Sequence, residues 1–268
     1  MIRILRALVL RDLRHEASYR LPFVLTFVGN LHIFLVFLFI SRLFGGLEPA
    51  GLAAFKGGFF PYVLTGIAIQ QYLHLALSTY AGQIRESQLM GTFEAVLACP
   101  VPLPAYLAGS ALYAFGLNTV HALLYLVLGV LLGGLSFPWS QVPLLLLVLA
   151  ATAAAFSVIG ILSASYCVLF KKGNPLTLVA VLASSLLGGV YFPAHVLPAW
   201  IRGVCAWVPM THALDALRGV LLQGRGLAGI AGSLLILAAW AVLGLPLACW
   251  IFSRAVARGR STGSLGQY

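Results

Sequence analysis

Acidic side chains are nearly missing from this chain. Six aspartates and glutamates are spread over 268 residues, and charged residues of both signs make up only 8% of the sequence. A water-soluble domain carries roughly 25% charged residues, which cover its surface. With 61% hydrophobic residues and a mean hydropathy of +1.01, this chain cannot cover itself in that way, so lipid must do so. Cysteine is scarce as well. Cys99, Cys167, Cys205 and Cys249 lie far apart and form no CxxC, so no disulfide framework is visible, and each reads as a small apolar residue.

The motifs of enzyme chemistry are also lacking. There is no GxxxxGK[ST], and the only lysines, Lys56, Lys171 and Lys172, sit in no glycine loop. A literal GxGxxG at Gly224, Gly226 and Gly229 opens an apolar run instead of following a strand, so the nucleotide-binding context is missing. No HExxH occurs, the six histidines have no metal-ligand spacing, and nothing marks a nucleophile. No catalytic residue, metal or bound cofactor is expected.

What is present is hydrocarbon. Crossing a bilayer takes about 20 mostly apolar residues in a helix. The sequence predicts one all-α integral membrane domain over 1–268, with six spans at 21–44, 59–82, 104–133, 143–170, 176–195 and 227–253. The fifth rests on a short apolar run, Leu176 to Tyr191, extended by a few residues. An even number puts both termini on one side. With the termini inside, eleven basic residues (Arg3, Arg6, Arg11, Arg14, Arg20, Arg85, Lys171, Lys172, Arg254, Arg258, Arg260) fall on the cytoplasmic side. Five (Arg42, Lys56, Arg202, Arg218, Arg225) fall outside, which predicts cytoplasmic termini in an inner membrane. The net charge of +10 is thus placed for orientation, and no basic block suits nucleic acid.

The first twenty residues are not expected to be a signal peptide, because the apolar run that follows is about twice a usual h-region. At 100° per residue Arg3, Arg6, Arg11 and Arg14 share a face opposite Ile4, Leu5, Leu8, Val9 and Leu13. That predicts a cationic amphipathic helix over 1–20 lying among lipid headgroups. A plain basic flank of the first span is the alternative.

Between 193 and 225 the chain is apolar yet broken by Pro193, Pro198 and Pro209. Two short helices are expected, Pro198 to Trp207 and Thr211 to Gln223 with Thr211 as N-cap, re-entering the external face without crossing it. Asp215 and Arg218, three apart in apolar surroundings, are close enough to pair. They read either as an external gate or helix anchor, or as an ordinary surface pair. Inside the spans Asn30, Gln71, His74, Asn118 and His121 are polar, with Gln71, His74 and Ser78 on one face. These could line a path or bond between helices.

The remaining interruption is ESQLMGTFEAVLACPVPLP, Glu86 to Pro104. Over 85–99 Leu89, Met90, Phe93, Val96 and Leu97 cluster on one helical face, with Ser87, Gln88 and Glu94 off it. Gly91 weakens the middle, so the helix could restart at Thr92, with Glu94 in its first turn, and Pro100, Pro102 and Pro104 stop it. A short helix offering apolar side chains at the cytosolic surface suits a groove on a soluble partner.

Two stretches carry a family resemblance. GTFEAVLACPVPLPAYLAG (91–109) and GGVYFPAHVLPAWIRGVCAWVPMTHALDALRGVLL (188–222) resemble the two signatures of type-2 ATP-binding-cassette export permeases. The likeness covers nearly the whole chain. It implies a homodimer of permeases bound to two cytoplasmic ATPase subunits, which hold ATP and magnesium. It implies that the 85–99 stretch is the coupling helix, with Leu89, Met90, Gly91, Thr92, Phe93, Glu94, Val96 and Leu97 at the ATPase contact. It further implies that Phe192, Pro193, Asp215 and Arg218 belong to the external re-entrant motif; Asp215 stands where many relatives have Glu. The expected cargo is amphipathic: lipid-like, drug-like or a lipid-linked glycan. The rival is an ATPase-independent channel or ion-coupled carrier, which would need ionisable groups at mid-membrane.

Overall fold

A computed structural model describes residues 9–10, 13, 29, 32, 35–43, 58–91, 97–98, 102–133, 139–170, 175–191 and 198–261. Every regular element among them is helical. After a helical stretch at 35–43 come α1 (Phe59–Leu77), a π-helical segment (Ser78–Gly82) and α2 (Gln83–Leu89), which run on without a break. There follow α3 (Leu103–Gly133), a 3-10 turn (Trp139–Gln141), α4 (Val142–Phe170), α5 (Pro175–Leu187), α6 (Ala199–Cys205), α7 (Pro209–Leu221) and α8 (Leu227–Ser261).

Three stretches are long and apolar enough to cross a membrane: Pro104–Leu131, Trp139–Phe170 and Leu227–Ser261. They correspond to α3, the 3-10 turn with α4, and α8. Leucine, valine and alanine on all sides give these helices no polar face, as expected where lipid or protein meets every side. The central helix is α4, which packs against α1, α7 and α8 and buries Leu145, Val148, Phe156 and Ile161 in the common core.

Several expected boundaries differ from those observed. The predicted span 176–195 contains α5, a helix of 13 residues. At 1.5 Å per residue that is about 20 Å, short of the roughly 30 Å of hydrocarbon. A turn at Gly188–Tyr191 ends it. The helix predicted to stop at 253 continues to Ser261 through Arg254, Arg258 and Arg260. Its 35 residues reach about 52 Å, well beyond the bilayer core. The predicted span 59–82 likewise runs through Arg85 to Leu89. Thr211 is not the N-cap of α7: Val208 takes that place and Pro209 fills N1, where a missing N–H costs nothing. The interface helix of Arg3, Arg6, Arg11 and Arg14, and most of the predicted first span including Asn30, lie outside the described residues.

Candidate functional site

Two places on this scaffold hold the residues singled out by sequence, one at each end of α1 and α2.

At the first, α7 has a sharply divided surface. Met210, Ala213, Leu214, Leu217 and Val220 face the core, and Asp215 faces out. Arg218 also points inward and is 5% exposed. Its guanidinium donates to the backbone carbonyls of Gly189 at 2.9 Å, Tyr62 at 3.1 Å and Val190 at 3.1 Å. Nε donates to Thr65 Oγ1 at 3.3 Å, and the guanidinium carbon lies 3.5 Å from the centre of the Tyr62 ring. Burial lowers the Arg218 pKa to about 10, against the pull of Tyr62 and Asp215, so it is still a cation at neutral pH. Tyr62 supports the same turn by donating its hydroxyl to Gly189 at 3.1 Å.

The expected pairing of Asp215 with Arg218 is therefore not what holds this site. Asp215 accepts from Ser233 Oγ at 2.6 Å and lies 3.6 Å from Arg225. Three carbonyls that end α5 and begin α1 draw the arginine away, because a planar fork with five donors fits them and a single carboxylate would use only part of it. The result is a clamp joining α7, the turn after α5 and the start of α1. Gly66 makes it possible: a Cβ there would lie 2.4 Å from the Val190 oxygen. Phe192 and Pro193 lie outside the described residues.

At the other end the chain leaves α2 at Met90 and Gly91, and Gly91 has φ +67, a left-handed conformation that stops the helix. The 85–99 stretch is thus not one continuous helix. Leu89 and Met90 are 64% and 67% exposed, whereas Gln88, expected on the polar side, is buried. Thr92, Phe93, Glu94 and Val96 lie outside the described residues. Leu97 is helical again and packs against the core, apart from Leu89 and Met90, and its carbonyl accepts from Arg260 at 3.0 Å.

Between the two ends, Gln71 is part-exposed, while His74 and Ser78 on the same face of the α1 region are open to the outside of the bundle. Asn118 and His121 are part-buried on α3. A bond between these helices is made by residues that sequence reasoning passed over, Tyr72 and Thr119, whose hydroxyls are 2.7 Å apart. Gln70 was missed too: it donates to Ser185 at 2.8 Å and accepts from Tyr191 at 3.1 Å, tying α1 to α5. Its only local signal was its place beside Gln71 in an apolar run. No group of histidines, cysteines or acids among the described residues is placed to hold a metal.

The described residues thus form a helical body with a buried arginine clamp at one end and an exposed apolar helix terminus at the other. Residues 4–222 match the ABC-2 type transporter family model, and the chain belongs to that family. It is an integral membrane protein and the permease subunit of an ABC transporter, a class that associates with ABC ATPase subunits. A comparison with curated proteins finds no significant match.

Proposed function

We propose that this chain is the membrane half of an exporter. In this reading two copies form the path, two cytoplasmic ATPase subunits bind ATP and magnesium, and both termini face the cytoplasm of the inner membrane. The six crossings of this reading count the first predicted span and the segment that contains α5. The cargo class is amphipathic, lipid-like, drug-like or lipid-linked, in keeping with the exposed Trp200 and Trp207 on the α6 side.

One observation carries the reading. The helix from Phe59 to Leu89 is about 46 Å long, longer than the bilayer core, and ends on two exposed apolar side chains at a glycine turn. Among the described residues Leu89 and Met90 have little apolar cover, and water is a poor neighbour for both. A groove on a soluble ATPase would cover them. Because α1, the π segment and α2 are continuous, a push at Leu89 is transmitted along the helix to the Arg218 clamp. His74 and Ser78 lie on the outward side of this helix, where hydrocarbon would be a poor neighbour, which supports a second copy or a wet path on that side.

The test is reconstitution with and without a co-expressed ABC ATPase. Cargo movement should require the ATPase, ATP and magnesium, and the chain alone should neither hydrolyse ATP nor conduct. Flux driven by a proton gradient with the ATPase absent would overturn the proposal in favour of an ion-coupled carrier.

A further inference from the structure

A groove of about 570 Å3 lies between α3, α4 and α8, away from the clamp and from the exposed end of α2. Ala111 and Phe115 of α3, Ala150 and Ala153 of α4, and Leu245 of α8 form its walls, and Tyr80 belongs to the same lining. All three walls are membrane-crossing helices, so the groove lies at bilayer depth. It also opens outward: Leu112 and Leu146 line it and are themselves exposed on the outer surface of the bundle.

The chemistry of the lining selects the occupant. The hydroxyls present are already engaged within the protein. Thr119 donates to the Phe115 carbonyl at 2.8 Å, and Ser157 donates to the Ala153 carbonyl at 2.7 Å while bonding Tyr80. Water in such a groove would have few partners, and an empty groove would leave its walls without dispersion contacts. A charged or polar ligand would find little to bind, since the Cys249 thiol is the weak polar group left in the lining. Hydrocarbon fits.

Size narrows this further. From Pro104 to Thr119 the lining follows α3 for about 22 Å, more than half the roughly 30 Å hydrocarbon core. A long slot with apolar walls at this depth suits a flexible hydrocarbon chain. The π-helical segment Ser78–Gly82 provides a second, independent feature, since Tyr80 lies at its centre and such bulges frequently accompany binding sites.

We propose that this groove is a binding site for one acyl chain of a bilayer phospholipid, held between α3 and α4 against Tyr80. The site requires only that α3, α4 and α8 cross the membrane, so it does not depend on the exporter reading. A lipid held there would act as a removable packing element between α3 and α4.

The experiment uses the full chain in nanodiscs of phosphatidylethanolamine and phosphatidylglycerol, with a trace of phosphatidylcholine carrying a mid-chain diazirine. After irradiation the labelled peptides are mapped by mass spectrometry. Labelling around Ala111, Phe115, Ala150 and Ala153 should exceed that at the exposed α8 residues Leu235 and Leu243 several-fold. Ala153→Trp, which fills the groove, should remove most of the groove labelling and leave Leu243 labelled as before. Equal labelling at the groove and at Leu235 in the unmodified chain overturns the site whether or not the tryptophan variant folds. Cross-links between two copies through Ala111→Cys would show a second chain in the groove and overturn it as well.

Discussion

Arg218 donates to the carbonyl of Gly189 at 2.9 Å, from α7 into the turn that ends α5. With the Tyr62 and Val190 carbonyls it completes a clamp on three segments far apart in sequence. Removing it takes the guanidinium from three carbonyls, of which Gly189 keeps the Tyr62 hydroxyl and Tyr62 keeps Thr65 Oγ1, and opens a cavity beside the Tyr62 ring. Arg218→Ala should lower stability by about 3 kcal/mol or more, and Arg218→Lys should recover only part, since a single ammonium cannot span the three carbonyls. Thermal unfolding of the purified chain in detergent measures both.

Asp215 is nearly half exposed, and its partners Ser233 and Arg225 are close in the chain. Asp215→Asn should therefore cost no more than about 1 kcal/mol, and added salt should narrow even that difference. A loss as large as that of Arg218→Ala in the same unfolding assay would show that the carboxylate, and not the carbonyl set, holds the clamp.

Gly66 is placed by contact with the opposite backbone. Its missing side chain leaves room for the Val190 oxygen, which a Cβ would approach to 2.4 Å. Because that atom is backbone in the clamp itself, it cannot swing aside as a side chain would. Gly66→Ala should destabilise by about 1–3 kcal/mol and should do little further harm in an Arg218→Ala background, where the clamp is already open. The double-mutant unfolding cycle reads out the coupling directly.

The outward polar face of the α1 region gives a separate expectation. If His74 meets a second copy or a shared path, His74→Cys should cross-link between copies in native membranes or react with a water-soluble thiol reagent. Leu243→Cys on the exposed side of α8 should do neither. A His74→Cys chain as inert as Leu243→Cys would place that face against lipid.

Much of the helical framework was legible because it is written locally. Long leucine and valine runs bounded by prolines predict α3 and α4 to within a residue or so of the observed ends, and Pro198 and Pro209 separate α6 from α7. What was not legible depends on contacts distant in sequence. The partner of Arg218 lies across 29 residues at Gly189 and 156 at Tyr62, so the nearest carboxylate in sequence was the natural but incorrect guess. Gln88 looked like a surface residue and is buried, while Leu89 and Met90, read as side chains offered at the cytosolic surface, are exposed. A helical wheel shows which residues share a face, but not which face meets protein. The arginines at 254, 258 and 260 read as a membrane boundary, and the helix continues through them to Ser261.

The exposed end of α2 decides the central claim. Leu89→Asp with Met90→Asp places two charges where an ATPase groove should receive two apolar side chains, at positions whose exposure makes a folding defect in the chain itself small. The measurement is ATPase recovered with the affinity-purified permease, together with ATP-driven efflux from the same membranes. The account predicts that the double variant reaches the membrane at normal levels and unfolds at the normal temperature, yet loses most of the bound ATPase and of the efflux. Full ATPase recovery and undiminished efflux would contradict it.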